Sequence, residues 1–182
     1  MNNTPKNFHI IDGNLVETDY WYFNNLLISN KAQGGLIICH QVNCMPVMGA
    51  GIAASIAKKY PSVERAYGLW FDLNTTPEEN AQKNLGKALI ISPKETDQKL
   101  AIANIAAQVR VGTYKRQTNY EALYTGLLQV KASVIEQEAD VAFPVGMSSS
   151  LAGGDWNIVQ SMITAVFKNI PTNLYFINWN GK

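Results

Sequence analysis

The sequence predicts an α/β protein: a three-layer α/β/α domain around a central mixed sheet. Three observations carry this. Short apolar runs of strand length alternate with segments of helical periodicity along the chain, the pattern of helices covering both faces of a sheet. Two small-residue loops, one ending in Gly49, Ala50 and Gly51 and one spanning 146–154, each lead from a buried strand into a helix. Both should therefore lie at the same sheet edge, where open α/β sheets bind ligands. Finally, the apolar runs 88–91 and 100–106 flank the charged turn 93–99, a closeness that suits an antiparallel pair.

Composition narrows the class. The chain has 182 residues, 47% hydrophobic and 16% charged, with a net charge of +1. It is expected to form one domain over 1–182 with a core that needs no staples. No long basic run points to duplex nucleic acid, and no segment has the length and apolarity of a membrane span or signal peptide. A cytoplasmic location is expected. Cys39 and Cys44, with two histidines, are too few for a zinc site, so neither metal nor cofactor is expected; Cys39 reads as core and Cys44 as a loop thiol.

Taken in order, residues 8–11 form a strand ending in the turn Asp12-Gly13-Asn14. The aromatic stretch 18–29 reads as packed core rather than a base-stacking platform. After Gly34 and Gly35, residues 36–39 have the signature of a strand buried on both faces, with His40 and Asn43 following at its end. Gly49 and Gly51 let a backbone approach closely, and the helix 52–59 offers its N-terminal N–H groups to an anion. Pro61 opens a second helix carrying Val63, Tyr67, Trp70 and Phe71. The polar stretch 73–85 reads as an exposed connection. Beyond the two strands, 109–118 is a basic loop with Arg110, Lys115 and Arg116, solvated in its simplest reading. The longest helix spans 119–138 and is weakened slightly by Gly126. Residues 141–145 give another strand, Asp155 opens a helix with Val159, Met162, Ile163 and Val166 on one stripe, and 174–177 close the sheet. Two loops rich in N–H groups at one edge suit a ligand with two linked phosphates.

The stretches HQVNCMPVMGAGIAASIAKKYPSVERAY and FPVGMSSSLAGGDWNIVQSMI resemble the two signature loops of the macro domain, a module that binds ADP-ribose. GNL near the start, GKALIISP, and ANIAAQ before TNYEAL extend the resemblance over most of the chain, in the right order. It looks closest to the branch of ADP-ribose 1″-phosphate phosphatases and small phage and bacterial macro proteins. The resemblance implies that Asn14 meets the adenine amino group beside the Leu15 amide. It implies that Asn43 bonds the distal ribose, and that Met48, Gly49, Ala50, Gly51 and Ile52 wrap that ribose and a phosphate. Gly146, Met147, Ser148, Ser149, Ser150, Leu151, Ala152 and Gly153 would cradle the diphosphate, and Trp179 or Phe176 would stack on adenine.

The same resemblance supplies candidate chemistry. His40, three residues before Asn43, would activate water or protonate a leaving oxygen, against the plainer reading of a neutral histidine satisfied at a strand end. Asp155 would orient His40 or the water, against the plainer reading of a helix N-cap. The leading expectation is metal-free hydrolysis of ADP-ribose 1″-phosphate to ADP-ribose and phosphate. The alternatives are removal of ADP-ribose from a modified protein or nucleic acid, and a reader or sponge without turnover. For the hydrolase alternative, Gln108 and Ala152 stand about where a related branch has Lys and Asp, with Lys115 as a substitute.

Overall fold

A computed structural model describes residues 8–17, 22 and 34–178. Six strands form one sheet: β1 (Phe8–Asp12), β2 (Leu36–Asn43), β3 (Ala88–Ile91), β4 (Leu100–Gln108), β5 (Asp140–Pro144) and β6 (Leu174–Asn178), in the order β1-β6-β5-β2-β4-β3. Every neighbouring pair is parallel except β3, which lies antiparallel on β4 at one edge. The sheet is therefore mixed, as the short turn between those two strands requires.

Five α-helices are described: α1 (Gly51–Lys59), α2 (Pro61–Leu69), α3 (Pro77–Asn84), α4 (Tyr120–Glu136) and α5 (Trp156–Phe167). Alternation along the strands divides the core between the two faces. Leu36, Ile38 and Val42 of β2 pack with Ile102 and Ala106 of β4 under Ile56 of α1 and Val63 and Tyr67 of α2. Ile37 and Cys39 pack with Ala103 and Ile105 under Leu123 and Leu127 of α4 and Val159 and Ile163 of α5. This is the three-layer α/β/α arrangement.

Three elements differ from expectation. Residues 73–85 are not a plain connection, because Thr76, Pro77 and Glu79 start α3 with a capping box: Thr76 N donates to Glu79 Oε2 at 2.7 Å and Glu79 N to Thr76 Oγ1 at 3.3 Å. Its low apolar content hid a helix whose start signal was present. β2 runs on to Asn43 through an irregularity between Val42 and Asn43, so His40 lies inside the strand. Cys44 follows the strand but is fully buried, and burial pushes its thiol up to about 11. The expectations for 18–29 and Trp179 fall outside the described residues, Tyr22 excepted, whose hydroxyl donates to Asp140 at 2.8 Å. Among the described residues, no helix is long and apolar enough to cross a membrane.

Candidate functional site

A cleft of about 540 Å³ opens at the C-terminal ends of β2, β4 and β5. Its walls are the segment from Val47 to the first turn of α1, the loop 145–152, and Val111, Gly112 and Thr113 of the basic loop; Gln41, Asn43 and Gln108 line it from the strand ends. Both small-residue loops therefore face one space. Among the described lining residues there is no Asp, Glu, His, Lys, Arg, Cys or Tyr.

The first wall is shaped by Asn43. Its Oδ1 accepts from Met45 N at 2.8 Å and its Nδ2 donates to the Val47 carbonyl at 2.9 Å, which folds residues 43–47 into a tight turn. From below, the buried Tyr67 hydroxyl donates to the Met45 carbonyl at 2.6 Å, with Asn43 O and Oδ1 at 2.9 and 3.1 Å. Burial raises the Tyr67 pKa, so it stays a donor. Beyond the turn, Gly51 adopts φ +55° and α1 begins with Ala50 at its N-cap. An alanine side chain cannot cap, and no acidic residue stands in the first turn. The helix N-terminus thus meets the cleft with its positive end unneutralised.

The second wall is held by Thr118, whose hydroxyl donates to the Ser148 carbonyl at 2.9 Å while Gly154 N donates to the same oxygen at 2.8 Å. Ser148 itself has φ +70°, a left-handed conformation that costs a non-glycine residue energy and is held here by its neighbours. Gln117 N and Thr118 N both donate to the Ala152 carbonyl, tying the basic loop to this wall. On the other side of that loop, Arg110 pairs bidentately with Glu78 of α3 at 2.7 Å and 2.7 Å. The loop is therefore anchored at both ends.

The expected site residues divide. Asn43, Gly49, Ala50, Gly51, Ile52, Gly146, Met147, Ser148, Ser149, Ser150, Leu151 and Ala152 line the one cleft, whereas Met48 and Gly153 do not. Met48 turns its side chain into the core under α1 and α2. Asn14 lies in the loop after β1, where its Oδ1 accepts from Val16 N at 3.1 Å, and Leu15 is buried beside it. Phe176 is a core residue, 5.1 Å from Phe8 and 5.6 Å from Trp156 between ring centroids.

Neither expected catalytic side chain lines the cleft. His40 has no exposure and shares the α1/α2 face with Leu36, Ile38 and Val42; its Nε2 donates to Asn104 Oδ1 at 2.7 Å. Asn104 Nδ2 donates to the Leu89 carbonyl, which leaves Oδ1 to accept and places the ring proton on Nε2. Burial lowers the His40 pKa to about 4, so the ring is neutral. Asp155 is exposed and caps α5, accepting from Asn157 N at 2.8 Å. The cap reading of Asp155 describes what it touches, whereas His40 lies inside the strand, bonds a side chain rather than backbone, and leaves Nδ1 without a partner. Sequence reasoning passed over Gln41, although a glutamine two residues before Asn43 in an apolar strand was a usable signal.

With this geometry the chain has the macrodomain fold. It is similar to a protein of unknown function from Bacteroides thetaiotaomicron at 20% identity over 93% of this chain and 96% of that one, with a TM-score of 0.72. It is similar to a macrodomain protein from Streptomyces coelicolor at 21% identity over 94% and 98%, with a TM-score of 0.66. It also resembles Thermosipho africanus DarTG, solved in complex with ADP-ribose, at 16% identity over 78% of this chain and 37% of that one, with a TM-score of 0.58. No family model and no curated protein matches the sequence.

Proposed function

We propose that this protein binds ADP-ribose or a close derivative in the cleft, without turning it over. The observation that carries the reading is a cleft enclosed by the uncapped start of α1 and the loop 145–152, with no ionisable side chain among its described lining residues. Such a surface offers phosphates a helix N-terminus and backbone dipoles instead of cations. The DarTG structure with ADP-ribose supports the identity of the ligand. In this reading, Gly49 to Ile52 and the loop 146–152 take the diphosphate and distal ribose, Asn43 holds the first of these loops in shape, and Asn14 and Leu15 mark the adenine end.

Hydrolysis of ADP-ribose 1″-phosphate is the finer reading that the sequence suggested. General acid–base catalysis needs a titratable group within hydrogen-bond reach of the reacting atoms. His40 is packed in the core and Asp155 is capping a helix, so binding alone is favoured. Removal of ADP-ribose from a macromolecule meets the same difficulty. Gln108 and Ala152 line the cleft and neither titrates, while Lys115 is exposed with its Nζ over the Tyr114 ring.

The test is a calorimetric titration with ADP-ribose beside a phosphate-release assay on ADP-ribose 1″-phosphate. Binding with release no faster than in buffer is expected. Release that disappears in His40→Ala would restore the phosphatase, and an absence of heat with ADP-ribose would remove the ligand assignment.

A further inference from the structure

Among the described residues, three buried side-chain polar atoms have no hydrogen-bond partner, and two belong to cleft-lining residues: Gln41 Oε1 and Ser148 Oγ. Unpaired buried polar atoms are costly and therefore few, and each calls for an explanation. At a cleft, a ligand supplies one.

The orientation of the Gln41 amide is dictated by its neighbours. Gln108 Nε2 donates to the Arg110 carbonyl at 3.0 Å, which leaves Gln108 Oε1 as an acceptor. Gln41 Nε2 fills it at 2.6 Å, and also donates to Thr118 Oγ1 at 3.2 Å. Thr118 has already committed its own proton to the Ser148 carbonyl. Turning the Gln41 amide over would set its oxygen against Gln108 Oε1, two acceptors at hydrogen-bond distance. Both amide protons are thus spent inside the protein. What Gln41 has left to offer is an acceptor.

We infer that Gln41 is a specificity-determining residue: its Oε1 accepts a hydrogen bond from the anomeric hydroxyl of the ligand's distal ribose, and so selects that hydroxyl over a phosphate ester at the same position. A hydroxyl carries the missing proton. A phosphate ester near neutral pH presents mainly acceptors, and would place oxygen against oxygen. The amide keeps the orientation that its two donated bonds impose, and the ligand hydroxyl comes to Oε1. Ser148 Oγ can donate or accept and adds affinity without discrimination. The inference rests on the ADP-ribose reading and specifies it: the ligand has its distal ribose unesterified.

The experiment titrates wild type and Gln41→Leu with ADP-ribose, ADP-ribose 1″-phosphate and ADP, which lacks the distal ribose. Wild type should bind ADP-ribose about tenfold more tightly than the 1″-phosphate, the effect of satisfying rather than opposing one buried acceptor. Gln41→Leu should lose that preference, and with it most of the excess affinity for ADP-ribose over ADP. A variant that keeps the wild-type ratios, or that weakens all three ligands equally, would overturn the inference. Should the leucine variant fail to fold, parity or preference for the 1″-phosphate in the wild type overturns it alone. Failure of wild type to bind either ADP-ribose or ADP would instead bring down the binding reading, and this inference with it.

Discussion

His40 shows what one buried side chain does to the molecule's response to pH. Burial lowers its pKa from 6.5 to about 4, opposed weakly by the hydrogen bond to Asn104. The unfolded chain takes up a proton as the pH falls through 6.5, whereas the folded chain resists until about 4. Stability from this group is therefore complete above pH 6.5 and drains away between there and 4, a loss of about 3 kcal/mol by linkage. Thermal melts should show a falling midpoint across that window, with a shallower fall in His40→Gln. An equally steep fall in the variant would assign the effect to other groups. The catalytic expectation comes from the family resemblance, which puts a histidine at the strand end before Asn43, whereas β2 continues to Asn43 and His40 lies inside it. Alternation separates His40 from Gln41: the first points under α1 and α2, and the second lines the cleft. Asp155 was legible as a cap, since an Asp before an apolar stripe is an ordinary helix start and does that here.

At the scale of elements, α4 and β4 meet unusually closely. A Cβ on Gly126 would lie 2.4 Å from Ile105 Cγ2, and Ile105 is fully buried. Propensity alone says that Gly126→Ala should stabilise the helix by roughly 1 kcal/mol. Overpacking costs about 1–3 kcal/mol and should win. Gly126→Ala is thus expected to lower the denaturation midpoint, and the loss should shrink when combined with Ile105→Ala, which removes the clashing methyl. A stabilised single variant would show that the sheet can yield. Periodicity could not reveal this, because a glycine in a helical pattern looks like a weak point until its neighbour is known. The same limit hid α3. Its start signal of Thr76, Pro77 and Glu79 was readable, but its polar composition left no apolar stripe to confirm it. The strands fared better: the apolar run 100–106 is buried throughout, as its composition suggested, although 88–91, at the sheet edge, is only half-buried.

For the whole molecule, the decisive property is a nearly neutral chain with a cleft whose described lining residues are all neutral. The two small-residue loops could be read from the sequence, and with them the sheet edge where they meet. The neutrality of the lining could not, because His40, Asp155 and the basic residues of 109–118 lie close in sequence to residues that do line it. An anion held by backbone dipoles and a helix N-terminus feels attraction only at short range, where salt screens little. A cleft built on Lys or Arg would respond differently. We therefore expect the dissociation constant for ADP-ribose to change by less than about threefold between about 0.05 and about 0.5 M salt. Between about pH 6.5 and about 9 it should be similarly flat, since none of the described lining residues carries a titratable side chain. Titrations across a salt series would check the first and a buffer series the second. A tenfold weakening with salt would mean that a cation reaches the ligand, and the exposed Lys115 and Arg116 would be the side chains to replace. In that event the bound phosphates would lie nearer the basic loop than the start of α1, and recognition would rest on side-chain charge after all.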